Sequence, residues 1–77
     1  MNKARRKRID EVIRKLEELK DEVDYIRDEE QDAYDNLPEG IQMSERGDSM
    51  QSAIDSLDYA YDGFDDIIDN LNEALEN

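Results

Sequence analysis

From Ile9 onward, the apolar residues of this chain recur at alternating steps of three and four. With Ile9 as position a of a heptad, Ile9, Leu16, Val23, Glu30 and Leu37 fall at a. Val12, Leu19, Ile26 and Ala33 fall at d. Only Glu30 is polar among these nine positions, a strong signature of an amphipathic helix. The remaining positions are rich in Glu, Lys, Arg and Asp, and suit a solvated helix face. Glu11–Lys15 and Asp10–Arg14 have the favourable order of an i,i+4 ion pair.

The pattern stops at "DNLPEG". Pro38 disfavours helix at Leu37 and lacks the donor a helix interior needs. Gly40 offers an easy positive φ. Ser44 is the expected N-cap of the next segment, with Glu45 in its first turn and Asp48 as an alternative cap. A second heptad then runs from Met43. Its a positions are Met43, Met50, Leu57, Phe64 and Leu71, and its d positions are Arg46, Ala53, Ala60, Ile67 and Ala74. Ile54, Tyr61, Ile68 and Leu75 occupy e, as Ile13 and Tyr34 do in the first segment.

These elements predict one all-α domain over 1–77. Helix 1 spans about 4–36, a break about 37–43, and helix 2 about 45–76, forming an antiparallel, coiled-coil-like two-helix hairpin. The heptads predict facing pairs Leu37–Met43, Val23–Leu57, Leu16–Phe64 and Ile9–Leu71, whose numbers keep a constant sum. This register sets Arg5–Arg8 beside Glu73 and Glu76, and brings Arg46 near Glu30. A stripe of a, d and e is wider than a two-stranded seam needs. A core this small seldom supplies more than roughly 3–5 kcal/mol. The expected remedy is a homodimer, with two hairpins joined as a four-helix bundle.

Composition changes the picture in one respect, charge. The chain has 23 acidic and 10 basic residues, a formal net charge of −13 and no histidine, cysteine or tryptophan. Residues 1–27 net +2 and residues 28–77 net −15. The basic cluster Lys3, Arg5, Arg6, Lys7 and Arg8 stands at a helix start, where the macrodipole opposes it. No apolar segment follows that cluster as in a signal peptide, and none is long enough to span a membrane. A bacterial cytoplasmic location is expected.

The run "YDNLPEGIQMSERGDSMQSAIDSLDYAYD" resembles the centre of small acidic hairpin proteins encoded by phages and mobile elements of Gram-positive bacteria. The shared parts are "NLPE", then "SERG", then an Asp-punctuated apolar helix. The resemblance implies an origin and a fold, and no chemistry.

Enzyme chemistry is not expected. Histidine and cysteine are absent, no Gly-rich phosphate loop exists, and paired carboxylates need a pocket that separates their pKa values. No cofactor is expected. The carboxylates lack the calcium-loop pattern and would point outward along a straight helix, so no metal site is expected either. "RGDS" at 46–49 matches an adhesion tripeptide by sequence alone, and lies at a predicted helix start.

The candidate partner-binding residues are Asp55, Asp58, Tyr59, Asp62, Asp65, Asp66 and Asp69. In the heptad Asp55, Asp62 and Asp69 are f positions, and Asp58 and Asp65 are b. They read as one outward stripe that the fold does not need, with Tyr59 alongside as an aromatic anchor. The expected function is non-enzymatic: an acidic, phage-type inhibitor occupying a basic or DNA-binding surface of a host protein. The alternative is a small oligomerisation or assembly protein acting through its apolar stripe. Direct nucleic-acid binding through the basic cluster is opposed by the net charge.

Overall fold

The computed structural model describes residues 1–77. Helix α1 spans Lys3–Asp35, a single turn α2 spans Glu39–Gln42, and α3 spans Glu45–Glu76. Asn2 caps α1, its Oδ1 accepting from the Arg5 N–H at 2.8 Å. At the other end the Asn36 backbone N–H and side-chain Nδ2 both donate to the Asp32 carbonyl. They satisfy an acceptor that the helix end leaves without a partner.

The helices lie side by side and antiparallel in a rod 59 × 15 × 12 Å. Arg6 reaches the Leu75 carbonyl at one end, and Lys20–Asp65 and Arg27–Asp58 bridge the middle. The seam uses only part of the apolar stripe. Apart from Met43, residues at a and e are covered, with Ile13 and Ile54 buried. Those at d are not: Val12, Leu19, Ile26 and Ile67 are 44–50% exposed. Two hairpin helices meet along one line, and a and e together centre on it. The d positions then fall about 80° to one side.

Four local expectations are corrected. Met43 is 79% exposed, because α2 takes up the chain before it and the seam begins beyond it. Gly40 has no positive φ, since it sits inside α2 and not at a left-handed turn. Ser44 is the N-cap of α3 by position, as expected, but its hydroxyl donates back to the Ile41 carbonyl, so the side-chain cap bond is not made. Arg46 is exposed and makes no ion pair with Glu30.

The close approach at the turn needs Gly47, which is buried. A Cβ there would stand 1.9 Å from the Gln42 carbonyl oxygen. Gln42 in turn donates from Nε2 to the Tyr34 carbonyl at 3.0 Å, tying the turn to the end of α1.

Candidate acidic interface

The fold divides the long faces of the rod by chemistry. On one face, Lys20 Nζ meets Asp65 Oδ1 at 2.6 Å and Arg27 Nε meets Asp58 Oδ1 at 2.8 Å. Both cations occupy e and both aspartates occupy b. Lys20 also stands 4.5 Å from the centre of the Tyr61 ring, within cation–π range. Its pKa is raised above the ordinary 10.5, first by the hydrogen bond to Asp65, with partial burial pulling the other way. Arg27 is raised likewise, first by its bond to Asp58.

These pairs correct the reading of the aspartates as one stripe the fold does not need. Asp58 and Asp65 close the hairpin seam. Asp55, Asp62, Asp66 and Asp69 are exposed and take part in no ion pair or side-chain hydrogen bond. Tyr59 is 80% exposed among them. Asp55, Asp58, Tyr59 and Asp62 line a shallow open depression. The structure therefore splits the seven candidates into two that bridge to α1 and five that face solvent. Nowhere do three or more acidic side chains gather as a metal-ligand set.

The sequence held the signal for these bridges. Lys20 and Arg27 are one heptad apart at e, Asp58 and Asp65 are one heptad apart at b, and the antiparallel register matches them.

The basic cluster also differs from its expected arrangement. Arg5, Lys7 and Arg8 are exposed, and none pairs with Glu73 or Glu76. Arg6 instead lies partly buried and donates to the Leu75 carbonyl near the end of α3. A cation there satisfies an orphan acceptor and complements the negative end of the helix dipole. The RGD tripeptide lies at the start of α3 with its glycine buried against the turn.

No helix is long and apolar enough to cross a membrane. No protein-family model matches the chain, and neither curated proteins nor solved structures give a match.

Proposed function

We propose that this chain is a non-enzymatic acidic binding protein that occupies a basic or DNA-binding surface of a protein partner. In this reading it is a phage-type inhibitor acting in the bacterial cytoplasm. The observation that carries it is the outer face of α3. Asp55, Asp62, Asp66 and Asp69 form no ion pair within the fold; Asp55 and Asp62 flank Tyr59, which is 80% exposed, and Asp66 and Asp69 extend the charge along the helix. An aromatic side chain set among charges supplies contact area that a purely solvated face does not need.

Salt-sensitive binding follows from such a contact. The test is capture of partners from a bacterial lysate by the parent chain, followed by competition with duplex DNA. Changing Asp55, Asp62, Asp66 and Asp69 to Asn should weaken capture by more than about tenfold, and Tyr59→Ala should add to the loss. Equal capture by the variants, or capture that duplex DNA fails to displace, overturns the reading.

A second reading is a homodimer acting in assembly through its apolar stripe, with two hairpins forming a four-helix bundle. The half-exposed Val12, Leu19, Ile26 and Ile67 favour it. Sedimentation equilibrium at micromolar concentration tests it, and a fully helical 9.0 kDa monomer would reject it.

A further inference from the structure

The cross-hairpin pairs place the b positions of both helices on one long face of the rod. In an antiparallel hairpin whose seam is made by a and e, the d positions of both helices then share the opposite face. That face carries Val12, Leu19 and Ile26 from α1, and Ala53, Ala60 and Ile67 from α3. All are exposed. The g positions flank them. On α3 these are Ser49, Ser56, Gly63 and Asn70, all uncharged. Helix α3 contains ten acidic residues, yet none lies at d or g. A face built only for solvation has no reason to exclude them.

Gly63 carries a related signal. A Cβ there would meet nothing within 4 Å, so the hairpin alone does not require glycine. It nonetheless bears a helix cost of about 1 kcal/mol relative to alanine.

Resting on the dimer reading above, we infer that this d/g face binds a second copy of the chain in antiparallel orientation, α1 against α1 and α3 against α3, about a two-fold axis near Leu19 and Ala60. Three observations select that occupant.

The first is charge complementarity. The g positions of α1 read Arg8, Lys15, Glu22 and Glu29. Turned end for end, Arg8 lies opposite Glu29 of the second copy and Lys15 opposite its Glu22. Charges at g are placed to pair between helices of a bundle. The whole rod has the same asymmetry: residues 1–15 with 66–77 net +1, whereas residues 28–55 net −8. Antiparallel association sets each acidic loop end beside the other copy's basic end. A parallel dimer would bring the two loop ends together.

The second is shape. Around that axis Leu19 meets Leu19, Val12 meets Ile26, Ala60 meets Ala60, and Ile67 meets Ala53, so the one large apolar d residue of α3 lies over a small one, and Arg46 lies over Ala74. The open depression lined by Arg5, Arg8, Ile9, Glu11, Val12 and Lys15 has an apolar floor and a rim of three basic residues and one acidic one. It would receive Ile26 with Glu22 and Glu29 of the second copy.

The third is area. The accessible surface is 5853 Å², against about 4,900 Å² expected for a compact monomer of this mass. The excess of roughly 1,000 Å² belongs to the elongated rod, and lengthwise pairing that buried the ~800 Å² per partner of a standard interface would offset most of it.

The chain has no cysteine, so single thiols report the geometry. Leu19→Cys should cross-link to itself through a short bis-maleimide, while a mixture of Leu19→Cys and Ala60→Cys should give little 19-to-60 product. In a parallel dimer the outcome reverses, because Leu19 then faces Ala60 of the other copy. Charge variants supply an independent arm. Arg8→Glu/Lys15→Glu and Glu22→Lys/Glu29→Lys should each dimerise more than tenfold more weakly than the parent, and should form a heterodimer when mixed. A dimer by sedimentation that cross-links 19 to 60, or shows no heterodimer preference, overturns the antiparallel arrangement and leaves the dimer reading standing. A folded monomer overturns both.

Discussion

Arg27 and Asp58 join α1 to α3, Nε to Oδ1, at 2.8 Å, although both are polar residues that helix patterning assigns to solvent. The pair recurs one heptad away as Lys20 and Asp65. Together they divide the aspartates of α3 into bridging and unbridged groups, and that division is measurable.

Neutralising the two groups should have opposite effects. Asp58→Asn or Asp65→Asn should lower Tm, with the loss shrinking as salt is added, because half-exposed pairs are screened. Asp55→Asn/Asp62→Asn should hold or raise Tm, since each i,i+4 like-charge contact relieved is worth about 0.2–0.5 kcal/mol. Thermal melts at two salt concentrations decide. Equal shifts from both groups would mean that the bridges contribute nothing to the hairpin.

The Lys20 bridge also predicts an alkaline dependence. Its pKa is higher in the folded chain than the ordinary 10.5. Its contribution is therefore complete below the unfolded value and is lost as pH rises through the folded one. The stability advantage of the parent over Lys20→Met should be constant through neutral pH and shrink above about pH 10.5. A constant difference up to pH 12 would reject the assignment.

The two glycines of the turn region, Gly40 and Gly47, should separate under alanine substitution. Gly47→Ala drives a methyl into the Gln42 carbonyl, and overpacking of this kind costs about 1–3 kcal/mol. Gly40→Ala meets nothing within 4 Å and should be neutral or slightly stabilising. Chemical denaturation of the two variants checks the contrast. Similar midpoints would mean that the turn can open without penalty.

Arg6 should hold the end of α3. Arg6→Met keeps a long stem against the helix but removes the donor to the Leu75 carbonyl. Amide exchange over residues 72–77 should accelerate by about 0.5–1.5 kcal/mol of local opening, with residues 54–64 unchanged. Uniform acceleration along α3 would point to a global role instead.

Much of this architecture is legible in the heptads. Ile9, Leu16 and Val23 on one helix, and Leu57, Phe64 and Leu71 on the other, announce two amphipathic helices about a Pro-Glu-Gly break. What the pattern does not disclose is how a stripe of a, d and e divides its contacts. Periodicity says that Leu19 and Ile13 are both apolar. Only the line along which two helices touch decides that Ile13 is buried and Leu19 stays half exposed.

The candidate site was less legible, for a related reason. Lys20 and Arg27 sit at seam positions but carry charge, so a reading by hydropathy overlooks them as seam residues. Their long stems lie along the seam while the charged heads reach Asp65 and Asp58. Gly47 was hidden because its demand comes from Gln42, a residue in the turn, and from no backbone angle of its own.

The tie between Tyr34, Gln42 and Gly47 also bears on the order of events during folding. Contacts within this short span close small loops and cost the least chain entropy, whereas the contact between Arg6 and Leu75 closes nearly the whole chain. Once the turn has set, the remaining contacts can form pair by pair away from it, each lengthening an existing seam. The turn is then the place where register is chosen. A slip that escapes there would be carried to the far end, with Lys20 and Arg27 as the first charged residues to detect it.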